Sequence, residues 1–275
     1  MNFLSTVVVA VRSSAIPTIR GHLSAWGTVG IAVRSQGADR FVVEAGFDDA
    51  TMAHGVARSL REAGAMAVAG PSGPGHRVAW ERRNAPSWFA SRSCVCFPWT
   101  EFDRTEADTI VEIDPGAGFG SGGHPTTSLL LGALHERVRG GERLLDVGTG
   151  TGVLAIAGLL AGAESAVGID IEPEAVAAAH HNAELNGVLD RLEVSDRMIE
   201  DLEEPPFDVV VANIHAPALV AMAPHLRRLL APGGWLGLSG ISRAQISTLA
   251  AALTPLVVEA EMHSDDWSAL IVLPG

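Results

Sequence analysis

The sequence predicts an α/β protein in which a mostly parallel sheet, closed by an antiparallel last hairpin, follows a small α+β domain. From residue 125 onward, short and nearly continuous apolar runs alternate with helix-like segments. Such alternation is typical of a parallel sheet covered by helices on both faces. Before residue 71 the predicted order is βαββαβ, which is typical of a split-βαβ, ferredoxin-like sandwich. With 275 residues, 47% of them hydrophobic, the chain is long enough for both cores.

The first domain is predicted to contain four strands and two helices. The second helix has Asp48 or Asp49 as its N-cap and Gly64 as its C-terminal stop, and Gly27 closes the first helix. The predicted strands are 5–12, 28–35, 41–47 and 66–70, and the predicted helices are 15–25 and 48–63.

A cluster of helix- and strand-breaking residues, PSGPG at 71–75, separates this domain from the rest. We therefore predict a first domain over residues 1–75, a connector over 76–104 and a second domain over 105–275.

The second domain is predicted to alternate helices with strands and to contain no internal repeat. Its first helix begins near Pro125, because proline suits the first turn of a helix. The predicted helices are 126–138, 152–163, 173–187, 216–231 and 242–253, and the predicted strands are 142–148, 165–171, 191–195, 207–214, 233–240, 256–262 and 265–273.

Charge and cysteine content exclude several classes of function. The formal net charge is −13, and the nineteen basic residues are all arginine. Such a surface repels phosphate backbones, so we predict no direct nucleic-acid partner and expect a cationic one. Cys94 and Cys96 form a CxC pair without the second ligand pair of a zinc site, so we predict no metal.

The sequence predicts a cytoplasmic protein. No apolar run reaches the roughly 18 residues that a membrane span needs. The first residues, MNFLSTVVVAVRSS, have no basic residue ahead of their apolar stretch and no small-residue cleavage site, so they predict a buried strand rather than a signal peptide.

A glycine-rich loop, GTGTG, joins the predicted strand ERLLDV to a helix. Glycines 148, 150 and 152 allow the backbone to approach a ligand at the helix N-terminus. The spacing is GxGxG, and Val153 occupies the place of the third glycine of a dinucleotide fingerprint, which disfavours an NAD dehydrogenase. Asp146, two residues earlier, suits a cationic ligand better than a pyrophosphate. The alternative interpretation of the GTGTG loop is a tight turn that binds no ligand.

Two acids follow the next strands. Asp170 ends the strand VGID, where a carboxylate can accept both hydroxyls of a ribose, and Ile171 would then pack on an adenine. The alternative for Asp170 is a cap of the helix that begins near Pro173. Asp196 either reaches the adenine edge or is a solvated loop acid.

Five motifs carry a family resemblance. DVGTGTG, VGID and a PGG turn before a late strand resemble the class I S-adenosylmethionine-dependent methyltransferases, whose sheet is Rossmann-like. DPGAGFGSGGHPTT at 114–127 resembles the DPGxAFGTGxHPTT signature of the ribosomal protein L11 methyltransferases, the PrmA type. FDVVVANIHAPAL resembles the ANILAxPL segment of that family. The likeness extends over about residues 105–275.

The resemblance implies S-adenosyl-L-methionine as cofactor. Methyl transfer needs an amine aligned with the S–methyl bond, so we predict that the side-chain carbonyl of Asn213 aims the lone pair of the acceptor amine. His124 is interpreted as a structural loop residue, and His215 replaces an aliphatic residue of the family pattern. The alternative for Asn213 is a turn residue at a strand end. The predicted cofactor-binding residues are Thr127, Gly148, Gly150, Asp170, Ile171 and Asn213.

The resemblance further implies methylation of lysine and N-terminal amines of ribosomal protein L11, a basic partner that an acidic surface suits. The first domain would recognise this substrate, and residues 114–127 would form a flap over the methionine end of the cofactor. Two alternatives remain: a PrmA-like enzyme acting on another protein, a peptide or a small amine, and a non-catalytic regulatory module that binds the cofactor.

Overall fold

The chain, described here from a computed structural model, folds into two compact units, Met1–Ala85 and Pro86–Gly275. The structure describes residues 5–26, 28, 30–37, 40–47, 50–62, 65–71, 85–98, 100, 102–114 and 122–275.

The first unit has the predicted βαββαβ order. Its four strands form one antiparallel sheet in the order β2-β3-β1-β4, which is the ferredoxin-like arrangement. The elements are β1 (Ser5–Arg12), α1 (Ile16–Ala25), β2 (Gly30–Gly37), β3 (Arg40–Phe47), α2 (Ala50–Glu62) and β4 (Met66–Pro71).

The core of this unit follows from two periodicities. Val7 and Val9 of β1 are fully buried on the same face, as alternation along a strand requires. Helix α2 buries Ala53, Val56, Ala57 and Leu60 against the sheet, and this i, i+3, i+4, i+7 spacing marks one face of a helix. The predicted caps at Gly27, Asp48, Asp49 and Gly64 lie outside the described residues.

A small sheet opens the second unit, with strands β5 (Ser87–Ala90), β6 (Ser93–Cys96) and β7 (Thr109–Glu112) in the order β5-β6-β7. Every residue of the central strand β6 is buried. Cys94 and Cys96 are therefore buried, unpaired thiols, and burial raises their pKa values to about 11 and about 12. Strands β5 and β6 fall in the segment that the sequence assigns to a connector.

The large sheet has seven strands in the order β10-β9-β8-β11-β12-β14-β13. The pairs from β10 to β12 are parallel, and β14 pairs antiparallel with both β12 and β13. This confirms the predicted sheet with its closing hairpin. The strands are β8 (Arg143–Val147), β9 (Ser165–Ile169), β10 (Leu192–Ser195), β11 (Phe207–Asn213), β12 (Leu230–Ser242), β13 (Val257–Ser264) and β14 (Trp267–Leu273).

Helices cover both faces of the large sheet. Successive strand residues such as Leu144 and Leu145 are both fully buried but belong to different cores. Leu144 packs in the core formed with α3, α4 and α5, and Leu145 packs in the core formed with α6 and α7. This burial on two faces explains why the strands read as continuous apolar runs. The helices are α3 (Pro125–Arg137), α4 (Val153–Leu160), α5 (Pro173–Leu185), α6 (Ala216–Leu229) and α7 (Ile246–Leu253).

Some element ends differ from the predicted ones. Helix α4 stops at Leu160 because Gly162 has φ +119°, which a right-handed helix cannot accommodate. The predicted helix at 242–253 begins with a short 3₁₀ turn at Arg243–Gln245, so α7 itself starts at Ile246. Within the described residues, no helix combines the length and apolar character needed to cross a bilayer.

Candidate active site

The carboxyl ends of three neighbouring parallel strands meet at one edge of the large sheet. Val147 of β8 pairs with Ile169 of β9 on one side and with Ala212 of β11 on the other. The residues that follow these partners, Gly148, Asp170 and Asn213, therefore leave the sheet at the same level. The order also reverses at β8, because the chain passes to β9 on one side and returns later to β11 on the other. A crevice at such a switch point is where α/β sheets bind ligands.

The GTGTG loop requires its glycines. Gly148, Gly150 and Gly152 have φ values of +72°, +56° and +81°. A Cβ atom on Gly148 would lie 2.6 Å from Cγ2 of Ile214, so that glycine is also needed for space. The loop is hydrogen-bonded to the end of β9, because the N–H groups of Gly148 and Thr149 donate to the Ile169 carbonyl at 2.8 and 3.0 Å.

Asp170 is bonded to the glycine loop. Its Oδ2 accepts the Gly150 N–H at 2.8 Å, and its Oδ1 accepts the Glu172 N–H at 3.1 Å. The N-cap of α5 is Glu172, so Asp170 does not cap that helix with a bond to its first turn. Each carboxylate oxygen retains a further lone pair, so Asp170 can accept bonds from a ligand beside Gly150.

Apolar and acidic side chains flank this acid at the same edge. Ile171 is 65% exposed and presents an apolar side chain next to Asp170. Asp196 is exposed and directly follows the neighbouring strand β10.

Asn213 and Thr127, 86 residues apart in the sequence, are joined by a hydrogen bond. Asn213 Nδ2 donates to Thr127 Oγ1 at 3.0 Å. Thr127 is fully buried in the first turn of α3, so its position is fixed by the helix. With Nδ2 engaged by Thr127, Oδ1 of Asn213 is left as an acceptor.

The two candidate histidines lie at helix starts. His124 is the N-cap of α3, with Nδ1 2.7 Å from Thr126 Oγ1 and accepting the Thr126 N–H at 3.4 Å. The ring centroids of His124 and Trp267 lie 5.3 Å apart in an edge-to-face arrangement, which favours a structural role for His124. His215 is the exposed N-cap of α6 and makes no side-chain capping bond. Residues 115–121, which carry most of the predicted flap, lie outside the described residues.

Asp146 places a buried carboxyl directly beneath the glycine loop. Its Oδ2 accepts bonds from Thr149 Oγ1 at 2.7 Å and from the Ala155 N–H at 3.3 Å. Its Oδ1 has no hydrogen-bond partner within the described residues. Burial raises the pKa of Asp146 to about 7, opposed by these two bonds and assisted by the charge of Asp170. An unsatisfied buried carboxylate fits the predicted preference for a cationic ligand.

Asn182 of α5 and Asn186, which follows α5 as its C-cap, were not identified from the sequence. Asn182 and Asn186 bind backbone groups of residues 112 and 114, and Asn182 also binds the glycine loop. The available signal for Asn182 was its position on the alanine-rich buried face of α5, where asparagine is disfavoured without a partner. No cluster of His, Cys, Asp and Glu suited to a metal ion occurs in the described part of the chain.

Comparisons with known proteins agree on one family. A family model described as ribosomal protein L11 methyltransferase (PrmA) matches residues 76–273. The ribosomal protein L11 methyltransferase of Geobacter sp. (strain M21) is 40% identical over 227 residues, which is 74% of each chain. That of Pasteurella multocida (strain Pm70) is 43% identical over 191 residues, 68% of this chain and 64% of the relative.

A solved structure supports the same relationship. The crystal structure of a ribosomal protein L11 methylase from Lactobacillus delbrueckii subsp. bulgaricus superimposes with a TM-score of 0.65 at 28% identity. The match covers 69% of this chain and 98% of that one.

The family match begins about thirty residues upstream of the likeness read from the motifs. It includes residues 76–104 and thus strands β5 and β6. Strands β5 and β6 contain no ligand-binding glycine or acid by which a family can be recognised, so motifs alone do not identify this part of the chain.

Proposed function

The chain belongs to the ribosomal protein L11 methyltransferase (PrmA) family, and from this membership we propose that it transfers the methyl group of S-adenosyl-L-methionine to amines of ribosomal protein L11. The amines are those of lysine side chains and of the N-terminus. One observation carries the proposal: Gly148, Asp170 and Asn213 leave three register-matched strands at one switch-point crevice. Family, fold and the polar groups of the crevice thus support the same chemistry.

The residues of the crevice fit this cofactor. When bound, S-adenosyl-L-methionine supplies an electrophilic methyl group on a positively charged sulfur. Gly148 and Gly150 expose backbone for close approach, and the two oxygens of Asp170 can accept both hydroxyls of a ribose. Ile171 offers an apolar face for adenine, and the buried Asp146 carboxyl matches a cation.

The acceptor amine must be neutral, because only its lone pair can attack a methyl group. A free lysine has a pKa of about 10.4, so it must lose a proton to solvent before reaction. The Asn213 Oδ1, oriented through the bond to Thr127, accepts an N–H of the amine and aims its lone pair. Orientation of this kind and exclusion of water provide most of the rate enhancement.

The chain as a whole suits a basic protein substrate in the cytoplasm. A net charge of −13 attracts a lysine-bearing partner and repels nucleic acid. We assign recognition of that partner to residues 1–75 and cofactor binding to residues 105–275. Of the residues 76–104, those from Pro86 onward belong to the second compact unit.

Asp170→Asn should weaken cofactor binding by about 10- to 100-fold, since one hydrogen bond to a charged acceptor contributes about 1.5–3 kcal/mol. The amide keeps only one acceptor oxygen for the Gly150 and Glu172 N–H groups and the ribose. At saturating cofactor, kcat should change little. Calorimetry with S-adenosyl-L-homocysteine gives the Kd, and unchanged affinity would exclude the ribose role. Asp196→Asn, measured in parallel, separates the adenine contact from a solvated acid.

The activity itself is tested with labelled cofactor and free ribosomal proteins from a strain that lacks its own enzyme of this family. We expect label on one large-subunit protein, L11, at lysine and N-terminal amines. Label confined to other proteins, peptides or small amines would disprove the substrate assignment. Cofactor binding without transfer to any acceptor would indicate the non-catalytic module.

A further inference from the structure

Asn182 lies on the buried face of α5 and uses its amide completely. It is fully buried among Ala175, Ala179 and Ala183 of the same face. Its Oδ1 accepts the Asp114 N–H at 2.8 Å, and its Nδ2 donates to the Asp114 carbonyl at 3.1 Å and to the Thr151 carbonyl at 2.9 Å. Exchanging the oxygen and nitrogen would break all three bonds, so the amide has one orientation.

Asn186, the C-cap residue just after α5, makes the same pair of bonds with Glu112, two residues before Asp114. Its Oδ1 accepts the Glu112 N–H at 2.9 Å, and its Nδ2 donates to the Glu112 carbonyl at 2.7 Å. Four residues of helix rise about 6 Å, and two residues of strand rise about 6.8 Å, so the spacings match. The two amides thus bind residues 112 and 114 as a neighbouring strand would.

Asn182 differs from Asn186 because it also holds the glycine loop. Thr151 lies between Gly150, whose N–H binds Asp170, and Gly152, which has φ +81°. Thr151 is fully buried. The first intrahelical bond of α4 is accepted by the Gly152 carbonyl, so the Thr151 carbonyl, one residue earlier, lies outside the helix. A buried carbonyl outside the helix needs a donor, and the Asn182 amide provides it.

We propose that Asn182 is a positioning residue for the methyl transfer assigned above, on which this inference rests. It holds the turn at residues 150–152 in the geometry that presents Gly150 and Asp170 to the cofactor. At the same time it fixes Asp114, from which the chain continues to α3 and hence to Thr127. A single buried amide therefore couples the cofactor loop to the segment that leads to the acceptor side of the crevice.

The test compares Asn182→Ala with Asn186→Ala, two truncations of the same residue type, one inside α5 and one at its C-cap, that each bind the backbone of the extended segment 112–114. Both should lower the Tm, since each removes hydrogen bonds to the backbone of residue 112 or 114. Only Asn182→Ala should raise the Kd for S-adenosyl-L-homocysteine and the KM for cofactor, by about tenfold or more. Asn186→Ala should stay within about twofold of the wild type.

Hydrogen exchange at the Gly150 and Gly152 amides provides a readout that needs no cofactor. Exchange should accelerate by about tenfold or more in Asn182→Ala and remain unchanged in Asn186→Ala, because only the first loses the Thr151 anchor. Equal changes in the two variants, in affinity or in exchange, would overturn the proposal. Should Asn182→Ala not fold, Asn182→Ser, whose hydroxyl restores one donor, is measured against Asn186→Ser in its place.

These experiments distinguish a failure of the proposed methyltransferase function from a failure of the positioning role of Asn182. A wild-type protein that neither binds S-adenosyl-L-homocysteine nor transfers methyl groups would contradict the proposed function, and exchange at Gly150 and Gly152 would still decide the role of Asn182. A wild-type protein that binds the cofactor, with variants that lose affinity equally, would contradict only the positioning role.

Discussion

Asn213→Ala should lower kcat for methyl transfer by about 10²- to 10³-fold, the range expected for removing one preorganised hydrogen-bonding group at a reacting centre. The Kd for cofactor should rise by less than about tenfold, because Asp170 and the glycine loop remain. The Asn213 amide is anchored on one side by its bond to Thr127, which leaves Oδ1 to orient the acceptor amine. Single-turnover kinetics with L11 and calorimetry with S-adenosyl-L-homocysteine give the two quantities.

Thr127 provides the matched control for this prediction. Thr127→Val keeps the shape of a fully buried side chain and removes only the acceptor of the Asn213 bond, whereas Thr127→Ser keeps the hydroxyl. The valine variant should reproduce part of the loss in kcat, and the serine variant should restore it. Small and equal effects of Asn213→Ala on kcat and on cofactor affinity would refute an orienting role and would leave Asn213 as a turn residue.

The parts of the site that repeat a local pattern could be predicted from the sequence. Strands, helices and the two acids at strand ends follow from apolar periodicity and from glycine spacing, both of which act over a few residues. The requirement for glycine at Gly148 could also be foreseen, because a loop between a strand and a helix needs positive φ values there.

Contacts between distant segments could not be predicted in the same way. Thr127 and Asn213 were identified separately by motif, but their hydrogen bond depends on how α3 packs at the end of β11. The role of Asn182 likewise depends on three segments meeting at residues 114, 151 and 182. A single sequence contains no periodicity that relates positions so far apart, and only the assembled sheet brings them together.

Asp146→Asn should make the protein more stable at pH 8 than the wild type. The carboxyl is buried, one of its oxygens lacks a partner in the described residues, and its pKa is raised to about 7. Between its unfolded value near 3.9 and about 7, the folded state binds more protons than the unfolded state, so the stability of the wild type falls as pH rises. Asparagine imitates the neutral acid at every pH and removes this dependence.

The stability difference between variant and wild type should therefore grow with pH, from below about 1 kcal/mol near pH 4 to as much as about 4 kcal/mol at pH 8, at about 1.4 kcal/mol per pKa unit. Urea unfolding of both proteins at each pH measures this difference in the free energy of unfolding. Because variant and wild type are compared at the same pH, the contributions of all other titrating groups cancel. A difference that is constant with pH would show that Asp146 ionises normally in the fold.

The same substitution should cost cofactor affinity, by about tenfold at pH 8, because asparagine cannot offset the positive charge of the proposed ligand. A carboxylate that destabilises the ligand-free fold is stabilised again when a cation is bound beside it. Higher stability together with weaker binding in Asp146→Asn would thus show that Asp146 serves cofactor binding and lowers the stability of the ligand-free protein. Higher stability with unchanged binding at pH 8 would place the cation elsewhere in the crevice.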